Sequence, residues 1–132
     1  MKPELGVGDS QPIRHVFAYG TLIEPGLLDA VLGHKHLGER LAARLVGYER
    51  ISVPTYAYTF VVPTPGASVD GVLLMDLSAY DMQALDRYEE VESGVYRREA
   101  VEVEAWGCGP RPIYVQADVY AAGQQLLAST VH

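Results

Sequence analysis

Glu89 is the residue in this 132-residue chain whose setting most invites proton chemistry. Read at about 100° per residue from Ser78, the positions of Met82, Leu85 and Glu89 share one narrow helical arc, bordered by Ala79 and Tyr88. A carboxylate on an apolar stripe loses hydration, and the carboxyl end of a helix adds a negative dipole. Both effects raise its pKa toward the range of a general base. A competing reading ends the helix one or two residues earlier and sends Glu89 into water beside Glu90 and Glu92. Periodicity alone leaves both open.

Tyr19-Gly20-Thr21-Leu22 follows an apolar run and precedes a helical pattern. Backbone amides and the Thr21 hydroxyl could converge there on a carboxylate, although an ordinary structural turn explains the same residues. Packing accounts for most of the nine tyrosines, but Tyr96, just beyond Glu89, and Tyr120, at the end of the last strand pattern, are placed to reach a shared cavity. His34 and His36 share a face only in a strand and have no third partner at ligand spacing. No metal is expected there, and both read as surface histidines. Cys108 lies between two glycines with no neighbouring His or Lys to lower its pKa, so it reads as incidental. The chain has no Gly-x-Ser-x-Gly elbow, phosphate loop or dinucleotide fingerprint.

The elements that must position these residues follow from local signals. Residues 1–12 are polar with Gly and Pro and read as a flexible leader, with one domain over 13–132. His15–Tyr19 predicts a strand, and Pro25 to Leu32 a short helix with Gly33 as its stop. Leu37 to Phe60 favours strands interrupted by Gly47 and Pro54, and Pro63-Thr64-Pro65-Gly66 predicts a turn. Val69–Leu77 suits a central strand buried on both sides, and Ser78 with Asp81 approximates a capping box for a helix reaching about Glu89. Val101-Glu-Val-Glu and Ile113 to Tyr120 alternate with period two and predict two further strands, joined by a turn at Trp106-Gly-Cys-Gly-Pro. Late strands paired this closely favour antiparallel hairpins, giving an α+β fold with a barrel-like sheet.

Composition narrows the function classes. With 10 Lys+Arg against 17 Asp+Glu the formal charge is −7, and the arginines are scattered, so nucleic acid is not an expected partner. A hydrophobic share of 48% with 20% charged residues fits a globular chain and not a disordered one. One cysteine excludes an intrachain disulfide framework, and no apolar run approaches the roughly 20 residues of a spanning helix. A cytoplasmic protein without a membrane partner is the expectation. Monomer and homodimer remain equally open.

Phe17-Ala-Tyr-Gly-Thr-Leu, Val69-Asp-Gly-Val-Leu-Leu, Leu85-Asp-Arg-Tyr-Glu-Glu, Tyr96-Arg-Arg and Asp118-Val-Tyr, in this order and spacing, resemble the γ-glutamylcyclotransferase-like family. That family includes γ-glutamylamine cyclotransferase and the plant avirulence-induced proteins, and the resemblance runs from about Val16 to Tyr120. It implies a small mixed β-barrel flanked by helices, with a substrate loop at Tyr19, Gly20, Thr21 and Leu22, and the catalytic glutamate at Glu89. Tyr96 matches in part the Tyr-x-Arg pattern that follows. The implied enzyme is an amine-releasing cyclase, a transferase in class. The α-amine of a small γ-glutamyl substrate attacks its own γ-carbonyl, expels an amine and leaves 5-oxoproline, with no cofactor. Glu89 would take the α-ammonium proton and return it to the leaving amine. A non-catalytic small-molecule-binding or stress-response module of the same fold is the alternative.

Two departures bear on the substrate. Tyr56-Ala-Tyr-Thr stands where the family often has Tyr-Pro, and Glu90 replaces the glycine that commonly follows the glutamate. The added negative charge disfavours acidic substrates such as glutathione and favours a neutral or cationic leaving group.

Overall fold

Capping residues set both helices. Pro25 opens α1 (Pro25–Leu32) where an amide would lack an acceptor, and Gly33 closes it in the left-handed region at φ 81. Ser78 caps α2 (Ala79–Tyr88): its hydroxyl accepts the Asp81 amide at 3.1 Å, and the Asp81 carboxylate accepts the Ser78 amide at 3.0 Å. The predicted capping box is thus complete. The structure is a computed structural model and describes residues 13–53, 58–107 and 109–123. The expected leader 1–12, Pro54, Tyr56 and Cys108 lie outside the described residues.

Five strands, β1 (Arg14–Ala18), β2 (Arg40–Val53), β3 (Tyr58–Leu77), β4 (Tyr96–Trp106) and β5 (Ile113–Ala122), close a barrel in the order β1-β3-β2-β4-β5. Neighbours pair antiparallel except at the closure, where β5 runs parallel to β1 with Val16 opposite Asp118. The result is the mixed α+β barrel expected from the sequence.

The turn predicted at Pro63-Thr64-Pro65-Gly66 does not reverse the chain. Val46 pairs with Ser68 and Tyr48 with Pro63, so residues 64–67 are extra on β3 opposite the single residue Gly47. Gly47 and Gly66 both take φ 88, which absorbs the bulge, and both strands continue past it. Gly47 therefore does not interrupt β2 as expected. Gly71 serves a different need: a Cβ there would lie 2.3 Å from the Ala18 carbonyl oxygen. Only glycine lets β1 lie this close to β3, and β1 delivers Tyr19 to the site.

The core has two parts. Phe17, Leu45, Val61, Leu73, Val103 and Val119 form a cluster drawn from all five strands, which fills the barrel. A second cluster sets Leu28 of α1 and Met82 and Leu85 of α2 against Val16, Leu74 and Leu77. Period-two alternation makes this possible, since Phe17 and Leu73 face one cluster while Val16 and Leu74 face the other. Leu28, Leu77 and Leu85 are fully buried, each contributing about 1.5–3 kcal/mol, and they hold the helices on the barrel. Among the described residues no helix is long and apolar enough to cross a membrane.

Candidate active site

A cavity of about 530 Å³ opens where the end of β1, the end of α2, the start of β4 and the far end of β5 meet. All seven residues singled out in the sequence line it: Tyr19, Gly20, Thr21 and Leu22 from the segment after β1, Glu89 after α2, Tyr96 of β4 and Tyr120 of β5. Six other lining residues, Val16, Phe17, Ala18, Thr59, Tyr88 and Glu90, escaped the sequence reading as site candidates. Glu90 was visible only as a charged neighbour.

The way α2 ends fixes Glu89. The Val91 amide donates to the Asp86 carbonyl at 3.0 Å and the Glu90 amide to the Arg87 carbonyl at 3.1 Å, a complete Schellman motif. Glu89 is the C-cap, and its own amide still donates to the Leu85 carbonyl at 2.9 Å. The apolar stripe of Met82 and Leu85 consequently carries over to it. Of the two placements open in the sequence, the structure has the inward one. Burial pushes the Glu89 carboxyl up to about 7, and no described residue makes a hydrogen bond or ion pair to it. Glu90, one position on, is held in the left-handed region at φ 54, where a Schellman motif favours glycine.

The segment after β1 supplies donors. Thr21–Ile23 forms a 3₁₀ turn whose first bond runs from the Ile23 amide to the Gly20 carbonyl at 3.1 Å, and no side chain caps it. The Thr21 and Leu22 amides precede that bond and have no acceptor within the turn. A Cβ on Gly20 would meet nothing within 4 Å, so there is room beside these amides for a ligand.

The tyrosines form a wall whose hydroxyls are already engaged. Tyr19 donates to the Tyr120 carbonyl at 2.5 Å, Tyr96 to the Thr59 carbonyl at 2.7 Å, and Tyr120 to Asp86 Oδ1 at 2.7 Å. Burial raises the pKa of the Tyr19 phenol, with Tyr96 and Glu89 adding to it, and burial plus Asp86 does the same for Tyr120. Both remain protonated donors. Among the described residues Glu89 and Glu90 are the charged ones in the lining, and no Lys, Arg or His joins them.

His34 and His36 lie elsewhere, between α1 and β2; His34 is at the surface as expected and His36 is half-buried, and both are bonded. His34 Nε2 is 2.7 Å from Asp81 Oδ1, and His36 Nε2 is 2.6 Å from the Met75 carbonyl. Each pins a connecting segment to the body of the fold. Among the described residues no three His, Cys, Asp or Glu side chains are grouped to hold a metal.

The arrangement joins a proton acceptor tuned near neutrality to amides suited to an anion. The model of the family described as gamma-glutamyl cyclotransferase, AIG2-like, matches residues 16–131. The chain belongs to that family. AIG2-like protein B of Arabidopsis thaliana is 30% identical over 95 residues, covering 72% of this chain and 52% of its own length. The chain spans about half the length of the curated relatives it matches. A solved AIG2-like protein from Mus musculus shares the fold at a TM-score of 0.63 and 23% identity, over 87% of this chain and 82% of that one. A solved gamma-glutamyl cyclotransferase does so at 0.67 and 18%, over 84% and 67%. In this cyclotransferase-family chain the cavity lies within the matched residues.

Proposed function

We propose that the chain is a γ-glutamyl cyclotransferase that releases an amine and 5-oxoproline from a γ-glutamyl amine. The observation that carries the proposal is the desolvated Glu89 carboxyl, unpaired among the described residues, sharing one cavity with Thr21 and Leu22, whose amides have no acceptor within their turn. The amides hold the substrate's α-carboxylate and so place its α-nitrogen beside Glu89. Glu89 takes a proton from the α-ammonium, and the freed amine attacks the γ-carbonyl. The new C–N bond closes the five-membered ring. As the old C–N bond breaks, Glu89 gives that proton to the leaving nitrogen and takes the second surplus proton from the ring nitrogen, which departs with the amine as its ammonium form. One carboxylate serves every transfer, no water is consumed, and a pKa of about 7 suits both directions.

Selectivity follows from charge. With Glu89 and Glu90 the charged groups among the described lining residues, a leaving group bearing a carboxylate is repelled and a neutral or cationic one is accepted. Mass spectrometry on γ-glutamyl amines with neutral, cationic and anionic leaving groups tests the proposal. The expected result is 5-oxoproline from the first two and little from the third. Glutamate in place of 5-oxoproline would mean hydrolysis. No turnover of any member, with 5-oxoproline still bound, would make the domain a binding module.

A further inference from the structure

Glu89 is held in its cavity without a single bond to its carboxyl from the described residues, so its own side chain gives it no reason to stay. A desolvated carboxylate gains hydration by leaving, and the last turn of a helix frays readily. Some other contact must hold the turn. The Thr21 Oγ1 to Tyr88 Oη contact at 3.1 Å is exposed and weak for that reason. A stronger restraint begins at Asp86, one turn before Glu89.

We infer that Asp86 is a positioning residue: through Tyr120 it ties the last turn of α2, and with it Glu89, to the segment after β1. Its backbone carbonyl already closes the Schellman motif by accepting from Val91. Its side chain accepts the Tyr120 hydroxyl on Oδ1 at 2.7 Å, and Arg98 Nη1 lies 3.2 Å from Oδ2. Tyr120 in turn accepts the Tyr19 hydroxyl on its carbonyl at 2.5 Å. The two polar ends of one β5 residue thereby reach both the last turn of α2 and the segment after β1. Arg98 of β4 is itself anchored, since its Nε lies 3.8 Å from Asp118 Oδ2, and that buried carboxylate also pairs with Arg14 at 3.3 Å. Asp86 does not line the cavity, so it acts only through its partners. This role in turnover rests on the proposed function, whereas the role in holding Glu89 does not.

The groups facing the Glu89 cavity are Tyr19 after β1, Tyr96 of β4, Tyr120 of β5, and Tyr88 and Glu90 of its own turn. None is a cation, so movement of the turn into water is the change that would lower the Glu89 pKa. Carbon-13 NMR of glutamate-labelled protein, assigned with Glu89→Gln, follows that titration directly and needs no substrate.

In Tyr120→Phe the Glu89 titration is expected to fall from about 7 toward 4.5, and kcat to fall ~10- to 100-fold. The acid limb of the kcat profile should move down with it. Asp86→Ala should behave alike, and the double variant should be no worse than either single one. Asp86→Asn keeps an oxygen for Tyr120 and should retain a near-normal titration. A purely structural role would lower the melting temperature and leave the titration alone. Folded Tyr120→Phe and Asp86→Ala proteins with wild-type Glu89 titration would overturn the inference. A shifted titration in a protein that turns over no γ-glutamyl amine would uphold the positioning role and sink the proposed reaction.

Discussion

The two ends of α2 carry one inward carboxylate each, and their surroundings drive them in opposite directions. At the amino end, burial alone would raise the Asp81 pKa. Hydrogen bonds from the Ser78 amide, His34 and the Ser78 hydroxyl outweigh burial and lower it. At the carboxyl end, burial acts on Glu89 without opposition and raises it. The helix dipole points the same way at each site, favouring charge on Asp81 and disfavouring it on Glu89. A carboxylate that satisfies its neighbours builds the fold, and one left without neighbours is free to exchange a proton.

Glu89→Gln breaks the contrast most sharply. It preserves shape but cannot accept a proton, so cyclisation should slow on the order of 10²–10⁴-fold. Stability should move the other way. Because the folded pKa lies above the unfolded one, the Glu89 contribution is full below about 4.5 and lost as pH rises through about 7. That loss is on the order of 3 kcal/mol. Urea unfolding of wild type from pH 4.5 to 8 should show it, and the Gln variant should be flatter and no less stable. Full activity in Glu89→Gln would remove the catalytic assignment.

The opposite end should respond in the opposite way. Asp81→Ala removes half of the capping box and the partner of His34, and should cost about 1–2 kcal/mol of stability. The rate per folded molecule should stay close to wild type, measured on the same preparation. A large loss of kcat with intact stability would mean that the two ends are not independent. The Asp81 contribution is present above pH 3.8 and fades as pH falls through its lowered pKa, whereas the raised His34 pKa adds stability that is full below 6.5 and lost as pH rises through the raised value. The sharpest but smallest test is Glu90→Gly. Relief of the left-handed backbone at φ 54 should stabilise the protein by up to about 1 kcal/mol. Turnover of cationic leaving groups should weaken relative to neutral ones. An unchanged melting temperature would show that Glu90 carries no strain.

The parts of this molecule legible in its sequence are those governed by near neighbours. Pro25, Gly33 and the Ser78–Asp81 box mark both helices because capping is a matter of three or four residues. Strand alternation marks β4 and β5 for the same reason. The misreading of Pro63 to Gly66 shows the limit: proline and glycine report a local need for special dihedrals, and a bulge has that need as much as a reversal does. Glu89 could be placed on an apolar arc, but whether it faced water depended on where the helix stopped. The engagement of the tyrosine hydroxyls and the role of Asp86 were beyond reach. Each depends on partners from distant strands, as with Tyr19 and Tyr120, 101 positions apart. His34 and His36 read as unremarkable because their partners, Asp81 and the Met75 carbonyl, are likewise far off in the chain.

The parallel closure of β1 on β5 has a consequence for how the molecule comes into being. Val16 meets Asp118 only across nearly the full length of the matched region, a contact of high sequence separation that carries a large loop-closure cost and forms slowly. On the ribosome β1, β2, β3 and α2 are all exposed before β5 exists, so Tyr120 cannot yet join its two walls. The cavity therefore belongs to no early intermediate. A nascent or partly degraded chain lacking β5 has no Tyr120 and so lacks one wall of the cavity, which is complete only in molecules that have finished folding.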